Sequence, residues 1–133
     1  SVGNDYLEGG SGVDVLQGGA DNDTLFPGSG GISAGETYDG GAGTDTLSGG
    51  LGADHFVFAT GFGADRVTDF AAGTDTLVFD TGLWAGTLTT GEVVERFASV
   101  AGGDVVFTFA DGSALTLDGV TDPLGVDIGL FTA

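Results

Sequence analysis

Single large apolar residues recur along the first part of the chain, each with polar residues on both sides. The series consists of Leu7, Leu16, Leu25, Tyr38, Leu47 and Phe56. Alternate residues of a strand point to opposite faces, so this pattern predicts short strands with one inward side chain each. No unit can bury its inward residue alone. We therefore expect the units to stack around a common core.

The segments between these strands are rich in glycine and repeat with a period of nine residues. Full units begin at Gly9, Gly18, Gly40 and Gly49, a truncated copy begins at Gly3, and a degenerate unit runs from Gly31 to Asp39. Glycine permits a positive φ and a close approach of backbones, so each Gly-Gly-x-Gly segment predicts a tight turn. Pro27 to Gly30 are read as an insertion that bulges from one edge.

An acidic residue stands two positions before each inward residue. These residues are Asp5, Asp14, Asp23, Glu36, Asp45 and Asp54. If two units make one coil of about 18 residues with two strands, turns on one side superimpose every second unit. Asp5 then lies over Asp23 and Asp45, and Asp14 lies over Glu36 and Asp54. Carboxylates one strand spacing apart, about 4.8 Å, repel each other unless a cation lies between them.

Composition indicates which kind of cation could lie between these carboxylates. The 133 residues include 20 acidic and two basic residues, 28 glycines and no cysteine, and the formal net charge is −18. This charge excludes nucleic acid and anionic membranes as partners, and the absence of cysteine excludes disulfides and thiolate metal sites. Paired carboxylates with turn carbonyls form an all-oxygen site, which favours Ca²⁺ over Mg²⁺.

The chain also lacks the sequence features of membrane insertion and of cleaved export. No apolar run reaches the length of about 18 residues that spans a bilayer, so we expect no membrane insertion. No basic segment followed by an apolar stretch opens the chain, and no N-terminal signal peptide is expected.

The nonapeptide resembles G-G-x-G-x-D-x-U-x, the calcium-binding signature of the repeat-in-toxin (RTX) family. Units beginning at Gly9, Gly40 and Gly49 match at every specified position, and the unit at Gly18 departs only at Asp21. The resemblance implies an all-β fold, a right-handed parallel β-roll with two strands per 18-residue coil. It also implies about three to four calcium ions held between successive turns.

Calcium ligands are carried over from this resemblance position by position. The implied side-chain ligands are Asp5, Asp14, Asp23, Asp45 and Asp54, and the implied backbone carbonyls are those of Gly10, Gly12, Gly19, Gly41, Gly43, Gly50 and Gly52. Two further site residues depart from the motif, since Asp21 replaces a turn glycine and Glu36 replaces an aspartate.

Beyond residue 57 the repeat fades, and we expect a second region over residues 58–133 that ends the roll of residues 1–57. Asp65 and Asp75 keep the repeat's acidic position and are candidate ligands in two irregular turns. Thr89 or Thr90 can cap a short helix that runs to about Val100. Residues 104–120 alternate as a hairpin around Asp-Gly, and an apolar tail follows at 126–133. Such a β-rich cap protects the open end of a roll.

The segments GADRVTDFAAGTDTLVF and FADGSALTLDGV resemble the C-terminal region of RTX proteins exported by type I secretion, such as serralysin-type proteases, lipases and alginate epimerases. This resemblance implies an uncleaved export signal near the C-terminus, contact with the type I secretion apparatus, and an extracellular or cell-surface location.

Several residues have two interpretations. Asp65, Asp69 and Asp75 are either calcium ligands or caps of strand ends. His55 has no partner histidine or cysteine, which favours a surface residue over a metal ligand or catalytic base. Trp84 is either a packing residue of the cap or a stacking surface for a sugar ring.

The sequence therefore predicts a non-catalytic, calcium-binding module whose folding is driven by Ca²⁺ after export. Coordination replaces carboxylate repulsion, so the free energy of binding becomes free energy of folding. The alternative function is calcium-dependent binding of polysaccharide or a cell surface. We expect no enzyme activity from this chain, and any catalysis would reside in a portion N-terminal to it.

Overall fold

The computed structural model describes residues 2–28 and 35–132, which form twelve strands and one α-helix. In chain order the strands are β1 (Tyr6–Glu8), β2 (Val15–Ala20), β3 (Thr24–Phe26), β4 (Thr37–Ala42), β5 (Thr46–Leu47), β6 (His55–Phe58), β7 (Ala64–Val67), β8 (Thr76–Asp80), β9 (Ala98–Ala101), β10 (Asp104–Thr108), β11 (Ala114–Leu117) and β12 (Asp127–Phe131). The helix α1 is Thr90–Phe97, and 3₁₀ turns occupy Thr81–Leu83 and Pro123–Gly125.

The strands form two sheets, and successive repeat strands alternate between them. The seven-stranded sheet has the order β1-β3-β5-β7-β11-β10-β9, and the five-stranded sheet has the order β12-β8-β6-β4-β2. Strands β1 to β8 pair in parallel within their sheets. This arrangement confirms the predicted all-β parallel roll, in which each coil adds one strand to each sheet.

The strand register confirms the predicted stacking. In the seven-stranded sheet Leu7 pairs with Leu25, and Leu25 pairs with Leu47. In the five-stranded sheet Leu16 pairs with Tyr38, and Tyr38 pairs with Phe56. The coil that contains the predicted insertion is longer than 18 residues, as the pairing of Thr24 with Thr46 shows. The insertion itself falls partly outside the described residues, since 29–34 are not among them.

Stacked inward residues build a continuous apolar core. Leu25, Leu47, Tyr38 and Phe56 are fully buried, and the Tyr38 and Phe56 rings stack at 5.3 Å between centroids. The core continues into the second half through buried aromatic residues, among them Phe58, Phe62, Phe79, Phe107 and Phe109. Because the same core and both sheets cross residue 57, the division into 1–57 and 58–133 stays a prediction.

The cap extends both sheets of the roll. The predicted hairpin is present as β10 and β11, which pair antiparallel, and β11 pairs in parallel with β7 of the roll. The apolar tail forms β12, which pairs in parallel with β8. Strand β9 was not predicted and pairs antiparallel with β10.

The predicted helix begins as expected but ends earlier. Thr89 is the N-cap, and with Glu92 it forms a capping box in which each side chain accepts a hydrogen bond from the other residue's backbone. The helix ends at Phe97 rather than near Val100, because the following residues pair with β10. Within the described residues, no helix is long and apolar enough to cross a membrane.

Candidate metal centre

Carboxylates line both edges of the roll in two vertical rows. The strand register superimposes the acidic residues that precede each inward residue. The first ladder, at the seven-stranded sheet, consists of Asp5, Asp23, Asp45 and Asp65; the second ladder, at the five-stranded sheet, consists of Asp14, Glu36, Asp54 and Asp75. Neighbouring members belong to successive coils, so each gap between them is bounded by two carboxylates.

Hydrogen bonds from the backbone fix one oxygen of three carboxylates in the first ladder, those of Asp23, Asp45 and Asp65. Asp23 Oδ1 accepts from the backbone N–H of Asp5 at 2.8 Å, and Asp45 Oδ1 accepts from that of Asp23 at 2.8 Å. Asp65 Oδ1 accepts from the N–H of Asp45 at 2.9 Å. These contacts hold each carboxylate rigidly in the gap below the preceding coil.

The second carboxylate oxygen lacks a protein partner at most positions of the ladders. Buried oxygens without a hydrogen bond are Oδ2 of Asp14, Asp23, Asp45, Asp54 and Asp65 and both side-chain oxygens of Glu36. A buried acceptor left unpaired costs about 1–3 kcal/mol, and more when it is charged. The ion pair recorded among the described residues joins Arg66 to Asp118 at 3.2 Å, and no ladder carboxylate takes part in it.

Turn carbonyls converge on the same gaps. A Cβ added to Gly18 would meet both Asp23 Oδ2 and the carbonyl oxygen of Gly40, so these two oxygens lie close together beside Gly18. Gly43, at φ +145°, has the carbonyl oxygen of Asp21 in the position that a Cβ would occupy. The absence of a side chain at these glycines therefore lets the oxygen atoms approach the backbone closely.

The other predicted carbonyl donors lie in corresponding turns. Gly41 faces the carbonyl oxygen of Gly19 in the first edge. The remaining donors, Gly10, Gly12, Gly50 and Gly52, lie in turns of the second edge and have positive φ. Residues 31–34 lie outside the described residues.

The two departures from the motif behave differently. Asp21 adopts φ +78°, the conformation of the glycine that it replaces, and its Oδ2 accepts from the N–H of Gly3 at 2.9 Å. Glu36 occupies the ladder position and is fully buried. Its backbone N–H donates to Asp54 Oδ1 at 2.9 Å, while its own carboxylate accepts no hydrogen bond.

The three aspartates with two interpretations differ in their contacts. Asp65 keeps an unpaired, buried Oδ2, as a ligand would. Asp69 caps the turn of the preceding coil, because it accepts hydrogen bonds from the N–H groups of Gly49 and Gly50 and from the Ser48 hydroxyl. Asp75 accepts from the N–H of Asp54 at 3.0 Å and from that of Ala71 at 2.8 Å, which is the geometry of a cap.

Burial makes ionisation of several ladder carboxylates unfavourable. It raises the pKa of Asp65 to about 8, with a further contribution from the charge of Asp45. Burial raises the pKa of Asp54 to about 7, and the charges of Asp75 and Glu36 add to this effect. The pKa of Asp45 is also raised, by burial and then by the charge of Asp23. A bound cation would relieve this cost.

Sequence reasoning missed one polar row beside the first ladder. Asn4 Oδ1 accepts from the N–H of Asn22 at 3.0 Å, and Asn22 Oδ1 accepts from the N–H of Thr44 at 2.8 Å. The signal was present as an asparagine before the aspartate in two units. The carbonyl of Gly40 was also missed, because the prediction placed the donors at the second and fourth positions of each unit.

Trp84 and His55, for which the sequence allows two roles each, lie outside both ladders. Trp84 packs against Phe97 and Phe109, with ring centroids 5.8 and 6.3 Å away, so it belongs to the cap packing. His55 is exposed on β6.

The donor set fits a hard cation. Within residues 2–28 and 35–132, no group of three or more His, Cys, Asp or Glu side chains forms a compact metal cluster. Each gap is instead bordered by two carboxylates, and carbonyl oxygens lie beside several of the turn glycines. Such all-oxygen ligands suit calcium. The unpaired buried oxygens and the carbonyl oxygens beside the turn glycines agree with an ion between successive turns.

Comparison with known proteins identifies the family. The family model of the RTX calcium-binding nonapeptide repeat (4 copies) matches residues 1–31 and 31–67. The chain belongs to this family and is a calcium-binding RTX repeat module, of a kind found in secreted proteins.

Two solved structures resemble the chain along most of its length. The extracellular lipase LipA from Serratia marcescens is 32% identical with a TM-score of 0.64; the match covers 90% of this chain but only 20% of the lipase. The AlgE6R3 subunit of the mannuronan C5-epimerase from Azotobacter vinelandii is 28% identical with a TM-score of 0.63, over 96% of this chain and 80% of that subunit. Among curated proteins, none matches the chain.

Proposed function

We propose that this chain is a calcium-driven folding module of an exported protein. The observation that carries the proposal is the set of buried carboxylate oxygens, one to three per coil, that have no protein partner. Each such oxygen weakens the fold unless a cation binds to it. Calcium therefore acts as a condition for folding rather than as an addition to a finished structure.

The proposed ions lie in the gaps where both bordering carboxylates have an unpaired oxygen. These gaps are Asp23/Asp45, Asp45/Asp65, Asp14/Glu36 and Glu36/Asp54, which gives four ions, the upper end of the predicted number. The predicted ligands Asp5 and Asp75 border the end gaps. We expect Asp75 to be the weakest ligand, because two backbone N–H groups already satisfy its oxygens.

The mechanism is thermodynamic linkage between folding and binding. Without a cation, stacking coils bring like charges within about 4.8 Å, and the many glycines lose more backbone entropy on folding than other residues. A bound ion supplies positive charge and coordination to oxygens that the chain has already positioned. Its binding free energy is then available only to the folded state, so it stabilises that state.

Calcium availability makes this linkage useful during export. Extracellular modules bind calcium at about 10⁻⁴ to 10⁻³ M, so we expect an unfolded chain where free calcium is scarce and a folded one outside the cell. The partner that recognises the unfolded chain is proposed to be the type I secretion apparatus, acting on the C-terminal tail. Catalysis is assigned to other parts of the parent protein.

Circular dichroism through a calcium titration tests the proposal, starting in chelator and ending near 10 mM, well above the expected dissociation constants. We expect a cooperative change from coil to β-structure with Ca²⁺ and none with Mg²⁺ at equal concentration. A β spectrum already complete in chelator would contradict calcium-driven folding. Glycan binding that requires calcium would instead favour the alternative, a polysaccharide- or surface-binding module.

A further inference from the structure

The coil that departs from the repeat motif holds two fully buried polar side chains that lack partners. Glu36 has no hydrogen bond to either carboxylate oxygen, and the Tyr38 hydroxyl also has none. Both residues have no exposed surface. Among the ladder aspartates, Asp23, Asp45, Asp54, Asp65 and Asp75 each accept a hydrogen bond from a backbone N–H at one oxygen, whereas neither oxygen of Glu36 accepts one.

Strand geometry places these two groups in the same part of the second edge. Glu36 directly precedes β4 and Tyr38 is its second residue, and both side chains are fully buried, so both face inward. Tyr38 pairs with Phe56 in the next coil, and the two rings stack. Asp54 stands two residues before Phe56, just as Glu36 stands before Tyr38, and its Oδ1 binds the Glu36 N–H.

The charges near the Tyr38 hydroxyl support this placement. Burial raises the pKa of Tyr38, and the charges of Asp54 and Glu36 are the next largest causes. A buried hydroxyl that faces carboxylates is a hydrogen-bond donor in need of an acceptor. A leucine, the commonest residue at this position of the repeat, offers no such donor.

We propose that Glu36 and Tyr38 make the Glu36/Asp54 gap the tightest calcium site of the chain. Glu36 contributes both carboxylate oxygens to the ion, and the Tyr38 hydroxyl donates a hydrogen bond that holds the ligand oxygens in place. The inference rests on the proposed function, since it assumes that calcium occupies these gaps. Tyr38 is a positioning residue here and not a ligand.

Calcium release from the folded protein gives a direct test. The protein is loaded with calcium and mixed rapidly with a fluorescent chelator, and the slowest release phase reports the tightest site. We expect Tyr38→Phe to accelerate this phase about three- to tenfold, since one hydrogen bond is lost. Glu36→Asp and Glu36→Gln are each expected to accelerate it at least about tenfold. Aspartate shortens the side chain by one methylene group and so withdraws the carboxylate from the ion, whereas glutamine removes the charge and one ligand oxygen.

Matched controls separate the site from general effects. Tyr6→Phe removes the same hydroxyl from a residue that is 74% exposed, and Glu95→Gln removes one negative charge from the exposed face of α1. Neither should change the slowest phase. Circular dichroism at saturating calcium verifies that each variant is folded, and Tyr38→Phe retains the ring that stacks on Phe56.

Terbium supplies a spectroscopic readout of position. Tb³⁺ takes hard oxygen ligands, as Ca²⁺ does, and a phenol close to it sensitises its emission. We expect Tyr38→Phe to remove most of the tyrosine-sensitised emission and Tyr6→Phe to preserve it. The reverse result would place the tight ion elsewhere and overturn the inference.

The outcomes distinguish this inference from the proposed function. If the unmodified chain binds no calcium, the proposed function itself is wrong. If it binds calcium but Tyr38→Phe and Glu36→Asp release it at the unmodified rate, only the special role of this gap is overturned. An acceleration confined to the Glu36 and Tyr38 variants supports the inference.

Discussion

We expect the Asp45→Asn substitution to stabilise the fold without calcium and to destabilise it with calcium. Asp45 lies in the middle of the first ladder and is 1% exposed. Its Oδ1 accepts from the N–H of Asp23, and its own N–H donates to Asp65. Asparagine keeps an acceptor oxygen of the same size for the ladder hydrogen bond, but it removes the negative charge and one ligand oxygen.

In chelator the variant should be more stable than the unmodified chain. Two carboxylates about 4.8 Å apart repel by about 3.5 kcal/mol at an effective dielectric constant of about 20. Asp45 has such a neighbour on each side, and burial together with the charge of Asp23 raises its pKa, so its negative charge is unfavourable in the calcium-free fold. Screening by salt reduces the effect further, so we expect a gain of about 1–3 kcal/mol.

With calcium the same variant should be less stable. Asp45 borders two of the proposed ion sites. At a dissociation constant of about 10⁻⁴ M, calcium at about 10 mM stabilises the folded state by about 2.7 kcal/mol for each site. Weakening both sites can therefore cost up to about 5 kcal/mol, which exceeds the gain from relieved repulsion.

Two unfolding experiments measure both signs. In chelator, where the chains are expected to be unfolded, folding is induced with trimethylamine oxide, an osmolyte that favours burial. The midpoint of this titration compares the stability of the variants. In calcium, urea unfolding gives the free energy directly. Glu95→Gln is the matched control, because it removes one charge from an exposed helix position outside both ladders. A variant that is destabilised in chelator, or unchanged in calcium, would refute the reasoning.

Three further predictions concern the turns, the pH dependence and the cap. Gly43→Ala should lower the free energy of unfolding by at least about 2 kcal/mol, because φ is +145° and a Cβ would meet a carbonyl of the preceding coil. Gly86 also has a positive φ but faces open space, so Gly86→Ala should cost about 1 kcal/mol. Urea unfolding in calcium measures both variants. Burial raises the pKa of Asp65 to about 8, so its ionisation destabilises the calcium-free fold most above that pH and progressively less as pH falls towards the unfolded value near 4. Calcium must displace this proton, so the calcium midpoint should rise as pH is lowered from 8.5 to 6, and a pH-independent midpoint would contradict the burial of this ligand. Thr89→Ala should cost about 1 kcal/mol by removing the capping box, with and without calcium alike, whereas Thr87→Ala should have no effect on thermal unfolding.

The roll was predictable because its information is local and repeated. Each unit carries its own turn glycines, one inward residue and one carboxylate, and each coil contacts only its neighbours. The spacing of Leu7, Leu25 and Leu47 was therefore enough to predict which strands pair. The hairpin was predictable for the same reason, since its turn and its alternation lie within one short segment.

Contacts between distant segments were not predictable in this way. The hairpin strand β11 continues the seven-stranded sheet by pairing with β7, about 50 residues earlier. Strand β12 continues the five-stranded sheet by pairing with β8. Both pairings depend on the apolar surface that the last coil of the roll leaves open. This surface exists only after the coils have stacked. The early end of α1 follows from the same cause, because Ala98 pairs with Phe107.

The sequence by itself determined the positions of the candidate ligands, because each acidic residue keeps a fixed distance from an inward residue of known orientation. Only the tertiary structure decided which carboxylate oxygens remain available to a cation. Asp65 and Asp75 occupy equivalent places in the repeat pattern, yet Asp65 keeps an unpaired oxygen and Asp75 does not. The difference arises because the turn before Asp75 folds back and directs the Ala71 N–H at its second oxygen, a contact that depends on loop path and not on repeat spacing.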